Sequence, residues 1–158
     1  MGGHSKQGTN VAPSRRMAIS VQQAVRNAVA AERAAAQFYR ALAALDLEPE
    51  VQAFFLDMAK QEDQHAQSIE QGGKRLVGGE LPERADMAVE SVETAPEWLV
   101  ADTISKDNAL KIARDNEIKA SLFYDALADF CPEPEAEFFR QLANTELEHA
   151  KRLEQVEL

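Results

Sequence analysis

The sequence predicts an all-α protein, an antiparallel four-helix bundle with a long crossover between its second and third helices. Three observations carry that reading. Glycine and proline are scarce, seven and six in 158 residues, while Ala, Glu, Leu and Gln abound, a mix that favours helix over a sandwich or barrel. Apolar residues recur at helical spacing in four long stretches. Those stretches also form two copies of one helix–turn–helix design.

The length suits one domain, and 45% apolar residues suffice for a core. Residues 1–16 are polar, with Gly2, Gly3, Gly8, Pro13 and the adjacent Arg15 and Arg16, and read as a flexible tail before a domain at 17–158. The arginine pair invites an export reading. Gln22, Gln23, Arg26 and Asn27 interrupt the apolar stretch a signal peptide needs. Cytoplasmic residence is the expectation.

Ser20 can cap a first helix ending near Leu45. Its apolar stripe is Val21, Val25, Ala28, Ala35, Ala36, Tyr39 and Leu42, and Glu32 lies inside it. Asp46-Leu47-Glu48-Pro49-Glu50 breaks the pattern, with Pro49 suited to the first turn of the next helix. The second helix should run from Pro49 to Gln71. Its stripe is Val51, Phe54, Phe55, Met58, Ala59, Ala66 and Ile69, with Glu62 and His65 on the same face. Gly72-Gly73 reads as its end.

A connection of about 74–105 follows, containing Gly78, Gly79, Pro82, Pro96 and Trp98. A short helix is expected within it over 85–94. Connections this long are uncommon unless they cross the molecule. In a bundle, such a crossover lets helices two and three run parallel. The third helix is expected from Lys106 to Phe130, with Asp107 or Asn108 in its cap region. Its stripe is Leu110, Ala113, Ala120, Tyr124 and Leu127, and Glu117 lies within it. After Cys131-Pro132-Glu133-Pro134-Glu135, the fourth helix spans Pro134 to Val156. Phe138, Phe139, Leu142, Ala143, Ala150 and Leu153 face inward, and Glu146 and His149 interrupt that face.

The halves superimpose in sequence. A shift of 85 brings Glu32 onto Glu117, Phe38-Tyr39 onto Phe123-Tyr124, and Glu48-Pro49-Glu50 onto Glu133-Pro134-Glu135. One residue is then lost, and a shift of 84 brings Phe54-Phe55 onto Phe138-Phe139, Glu62 onto Glu146 and His65 onto His149. Two hairpins of one design imply a bundle with approximate two-fold symmetry.

Charge and cysteine content exclude other classes. A net charge of −10 opposes binding to nucleic acid, whose phosphates it would repel. No apolar run approaches the ~20 residues of a membrane span. The single cysteine, Cys131, rules out an intrachain disulfide and any site built on several thiolates. It is expected to be a buried, inert thiol.

Two of the three histidines sit in matching phrases, Glu62-Asp63-Gln64-His65 and Glu146-Leu147-Glu148-His149. A spacing of three places carboxylate and imidazole one turn apart on one helix face, where both can grip one ion. The third, His4, lies in the tail. Burying an unpaired carboxylate costs several kcal/mol or more. Four converging glutamates would repel one another strongly, and two divalent cations would cancel their charge. This is the dimetal carboxylate pattern of four-helix bundles, one Glu from each of two helices and one Glu-x-x-His from each of the others. Symmetry then makes Glu32 and Glu117 terminal ligands, Glu62 and Glu146 bridges, and His65 and His149 one ligand to each metal. Carboxylate and imidazole without thiolate suit iron or manganese and also admit zinc. Tyr39 and Tyr124 lie two turns beyond Glu32 and Glu117. They either serve the site, by bonding a ligand carboxylate or passing an electron, or are inward aromatics with a satisfied hydroxyl. The phenylalanines read as core and interface.

The pattern Ala31-Glu32, Phe38-Tyr39, Glu62-x-x-His65, Glu117, Phe123-Tyr124 and Glu146-x-x-His149 resembles the rubrerythrin-type branch of the ferritin-like superfamily, over residues 20–157. The resemblance implies a ferritin-like bundle and a centre of two iron ions reacting with dioxygen or hydrogen peroxide. Three departures narrow it. Rubrerythrins carry a rubredoxin domain, for which this chain has neither the length nor the cysteines. They place an extra glutamate one turn after the third-helix ligand, where this chain has Ala120, so the associated iron shift and efficient peroxidase activity are not implied. The remaining four Glu and two His resemble the ferroxidase centre of bacterioferritins. Those hold haem through a methionine where this chain has Asp63, so no haem is expected.

The leading expectation is an oxidoreductase that oxidises Fe(II) with dioxygen or peroxide, with an external electron donor and a homodimeric or larger assembly. The alternatives are a di-iron oxygenase acting on an organic molecule, which needs an apolar access pocket, and a non-enzymatic iron-sequestering bundle.

Overall fold

The computed structural model describes residues 20–86 and 105–156. The tail at 1–16, Trp98 and nearly all of the expected 85–94 helix lie outside them. Four helices form a bundle: α1 (Val21–Ala43), α2 (Pro49–Val77), α3 (Lys106–Asp129) and α4 (Glu135–Glu154). Helix α1 packs extensively on α2, and α3 on α4, so the chain forms two hairpins that meet mainly through side chains.

Local chemistry sets the ends. Ser20 caps α1 by accepting from the Gln23 amide at 3.1 Å, satisfying one of the free amides of a first turn. Pro49 opens α2. Ser105, rather than Asp107 or Asn108, caps α3 by accepting from the Asn108 amide at 3.2 Å.

Helix α2 corrects one expectation. Gly72-Gly73 does not end it. The helix continues for another turn and stops at Gly78, whose φ of 68° is the left-handed conformation glycine tolerates best. Gly73 answers to packing instead. A Cβ there would lie 2.2 Å from Val25 Cγ1, so glycine lets α1 and α2 approach closely.

Two apolar clusters fill the bundle. One gathers Val25 and Ala28 of α1, Ile69 of α2, Leu127 of α3, and Phe139 and Leu142 of α4. The other gathers Phe38 and Leu42, Phe55 and Met58, Ala109 and Ala113, and Leu153. Phe55 and Phe139 are fully buried, each contributing about 1.5–3 kcal/mol on removal from water. The clusters pair the start of α1 with the ends of α2 and α3 and the start of α4. Helices α2 and α3 therefore run in the same direction, as a long crossover permits.

The start of the crossover is tied down by the polar residues of α1. Asn27, fully buried, donates to Asp86 Oδ1 at 2.8 Å and accepts from the Asp86 amide at 3.2 Å. Gln23 donates to the Arg84 carbonyl at 3.0 Å, Arg26 to the Pro82 carbonyl at 2.5 Å, and Leu81 enters the core. Cys131 is partly buried against the first cluster, rather than fully buried. Burial pushes its thiol up, followed by the charge of Glu135, which keeps it a poor nucleophile. No described helix is long and apolar enough to cross a membrane.

Candidate metal centre

Between the two apolar clusters lies a polar layer. Glu32 comes from α1, Glu62 and His65 from α2, Glu117 from α3, and Glu146 and His149 from α4. Each glutamate falls on its helix's inward stripe, and all four are buried, Glu32, Glu62 and Glu146 at 0% exposure and Glu117 at 3%. The histidine side chains are 16% and 14% exposed. The imidazoles thus close one side of the layer.

The six residues form two overlapping groups. Glu32, Glu62, His65 and Glu146 make one; Glu62, Glu117, Glu146 and His149 make the other. Within each group, one ligand atom per residue lies within 4.8 Å of the rest. Glu62 and Glu146 belong to both. His65 Nδ1 stands 3.2 Å from Glu32 Oε2 and 3.6 Å from Glu146 Oε1. His149 Nδ1 stands 2.9 Å from Glu62 Oε1, 3.6 Å from Glu117 Oε1 and 3.7 Å from Glu146 Oε2. Each group draws three residues from one hairpin and one from the other.

Glu32 Oε2, Glu117 Oε2, both oxygens of Glu146 and Nδ1 of both histidines are buried and make no hydrogen bond. Protein interiors rarely tolerate even one such group, and a cluster of acceptors facing inward fits a bound cation. The donor set, carboxylate oxygen and imidazole nitrogen, is that of divalent first-row metals.

Titration in the metal-free chain follows the crowding. Burial raises Glu32, but short polar contacts with Glu62, His65 and Glu146 outweigh it and hold the carboxyl far below its usual range. Glu146 is pushed well up, first by burial and then by the charges of Glu32, Glu117 and Glu62. Burial lowers His149, but its contact with Glu117 and the charges of Glu117 and Glu32 more than reverse that, and the imidazole is raised. The layer is electrically strained unless protons or cations neutralise it.

The tyrosines are fully buried and bonded to the layer, but not to the glutamate on their own helix. Tyr39 donates to Glu117 Oε1 at 2.5 Å. Tyr124 donates to Glu32 Oε1 at 2.6 Å and approaches the Ala28 carbonyl at 3.4 Å. Each reaches the opposite hairpin. Burial pushes the Tyr39 phenol well up, and so do the charges of Glu117 and Glu62, which keeps it protonated and donating. Tyr39 stacks on Phe55, centroids 6.1 Å apart, and Phe55 meets Phe54 edge-on at 5.8 Å. Asp63, beside Glu62 on α2, pairs with Arg40 of α1.

One neighbour of the layer escaped the sequence reading. Asn116 precedes Glu117 and lines, with Ala35, Phe38, Tyr39 and Glu117, a void of about 10 Å³. Its Nδ2 is buried and has no hydrogen-bond partner. The available signal was a polar residue three positions after Ala113 and four before Ala120, both fully buried.

No match was found among curated proteins or among solved structures. The family model named Rubrerythrin matches residues 23–157, all four helices and all six clustered residues. The chain belongs to the rubrerythrin family.

Proposed function

We propose that the protein is a di-iron carboxylate oxidoreductase that oxidises Fe(II) with dioxygen or hydrogen peroxide. The observation carrying this reading is the pair of four-residue groups sharing Glu62 and Glu146, buried and rich in unsatisfied acceptor atoms. Glu32 with His65 and Glu117 with His149 would each hold one ion, and Glu62 and Glu146, common to both groups, would serve both. Iron held by these residues would supply the redox chemistry, two electrons and two protons reducing hydrogen peroxide to two waters.

The chain's own residues prepare the site. Four carboxylates balance the charge of two divalent ions in a layer from which bulk water is excluded. Tyr39 and Tyr124 fix one oxygen each of Glu117 and Glu32, leaving the other oriented inward. The partly exposed histidines place the layer's solvent-facing side on the α2–α4 side. Repeated turnover requires an external one-electron donor to return the metal to its reduced state.

Aerobic addition of two Fe(II) per chain tests the proposal. The expected result is ferric absorbance with consumption of the oxidant, and loss of both in a Glu62→Ala variant. If stoichiometric Fe(II) gives neither ferric absorbance nor oxidant consumption in the unsubstituted protein, the reading fails.

A further inference from the structure

The two hairpins are built alike but differ on the outside. Among the described residues, five large apolar side chains are exposed: Leu56, Ile118, Leu122, Phe130 and Leu147. Single exposed apolar residues are ordinary, whereas a group of them marks a contact surface. Ile118 and Leu122 stand one turn apart on α3, and Leu122 is 64% exposed. The repeat puts Leu147 beside them. Asp125 and Leu147 correspond to Arg40 and Asp63, which pair across α1 and α2. Leu147 on α4 therefore lies level with Asp125, the turn after Leu122.

The repeat also supplies the control. The residues matching Ile118, Leu122 and Leu147 are Arg33, Gln37 and Asp63. Arg33 pairs with Glu70 and Asp63 with Arg40, so the first hairpin closes its outer groove with its own charges. The scaffold does not need hydrocarbon at these positions. On α3 the apolar pair is the centre of a longer stripe. Lys111, Asp115, Ile118, Leu122, Asp125 and Asp129 are all exposed and alternate in steps of four and three residues, the seam spacing by which helices pair. Lys111 and Arg114 precede the apolar pair, and Asp125 and Asp129 follow it. Arg114 covers Asp115 at 3.8 Å, so that end of the stripe is cationic and the other anionic.

We propose that this face of α3, flanked by Leu147 of α4, is the contact between two copies of the chain. The order of the stripe selects that occupant. A cationic end, an apolar centre and an anionic end are complementary to the same stripe run backwards. About a two-fold axis, antiparallel α3 helices bring Ile118 onto the partner's Leu122 and set Lys111 and Arg114 against the partner's Asp129 and the partner's Asp125. A parallel pairing would oppose like charges at both ends. The contact leaves all six clustered residues within each copy, so it stands apart from the functional reading above.

Sedimentation of the full chain decides it. At about 100 µM, well above a micromolar Kd, the protein should run at twice the 17.5 kDa of one chain. Ile118→Arg combined with Leu122→Gln, the residues of the first hairpin, should weaken dimerisation about 100-fold. Helical circular dichroism and zinc stoichiometry should stay unchanged, because both positions are exposed. Lys111→Glu alone should weaken the dimer about tenfold, its effect counted twice about the axis. Adding Asp129→Lys should restore it. A single chain in the unsubstituted protein, or an assembly of any size that survives Ile118→Arg with Leu122→Gln, overturns the proposal. No response to Lys111→Glu, or a loss that Asp129→Lys does not restore, overturns the antiparallel arrangement.

Discussion

Tyr39 on α1 donates its hydroxyl proton to Glu117 on α3 across 2.5 Å, 78 residues away in the chain. Tyr124 returns the bond to Glu32 at 2.6 Å. Each hairpin thus orients a carboxylate belonging to the other.

Removing that bond should weaken one half of the centre. Tyr39→Phe preserves the stacking on Phe55 but leaves Glu117 Oε1 without its donor. Metal affinity in the Glu117 half should fall about 10–100-fold, the usual effect of losing a group that orients a ligand. Tyr124→Phe should do the same for the Glu32 half. Metal titration of each variant would show one weakened and one near-normal binding step. Two unaltered steps would mean the tyrosines are core residues only.

Ligands shared by both groups should differ from unshared ones. Glu146→Ala removes an oxygen donor from both groups and should leave under one metal per chain. Glu32→Ala touches only one and should leave about one. Metal analysis of dialysed protein distinguishes the cases. Equal stoichiometry in the two variants would refute the bridging assignment.

The metal-free protein should lose stability as pH rises above mildly acidic values. Glu146 is raised in the fold above its ordinary 4.5, so it holds a proton that the unfolded chain has released. Its stabilisation is complete below about 4.5 and is lost as pH climbs through the raised value. His149, raised above 6.5, adds a loss of the same sign beginning above that pH. Glu32 is lowered, so its contribution is present above 4.5 and lost as pH falls below it. The metal-free Tm should therefore decline on both sides of mildly acidic pH. The alkaline decline should shrink in Glu146→Gln and with metal bound. Metal binding must displace the Glu146 and His149 protons, so affinity should increase from pH 5 to pH 8. Thermal melts over pH 4–9 measure the first effect; a metal-free Tm that rises steadily with pH would contradict it.

Gly73→Ala should destabilise the fold although alanine favours helix. The added Cβ would meet Val25 Cγ1 at 2.2 Å, and overpacking of this kind costs about 1–3 kcal/mol. Gly72→Ala meets only Phe138 Cε2 at 3.5 Å, an ordinary contact, and should be neutral or slightly stabilising. Urea denaturation of the two variants makes the comparison.

The contrast between those glycines shows what the sequence could and could not disclose. The four helices and the six clustered residues were legible because the chain states its design twice, and a carboxylate on an apolar stripe is conspicuous in either copy. Gly72-Gly73 misled because glycine carries one local meaning, helix end, and one tertiary meaning, close approach. Only the position of Val25 selects between them. The crossing of Tyr39 to Glu117 was hidden for a similar reason. Sequence spacing relates a tyrosine to its own helix, whereas the bond depends on how two hairpins dock. Asn27, Gln23 and Arg26 appeared as polar interruptions, and their partners at 82–86 are loop backbone and one aspartate, which carry no periodic signal.

The reciprocity of the two groups has an ancestral consequence. Each hairpin contributes one Glu and one Glu-x-x-His, and each group borrows its fourth ligand from the other hairpin. A single such hairpin pairing with a copy of itself about a two-fold axis would present all six ligands and both tyrosine bonds. None of the six ligands comes from the described residues of the crossover. Fusion of two such hairpins into one chain would let the copies diverge, and they differ at the Ala31–Asn116 pair.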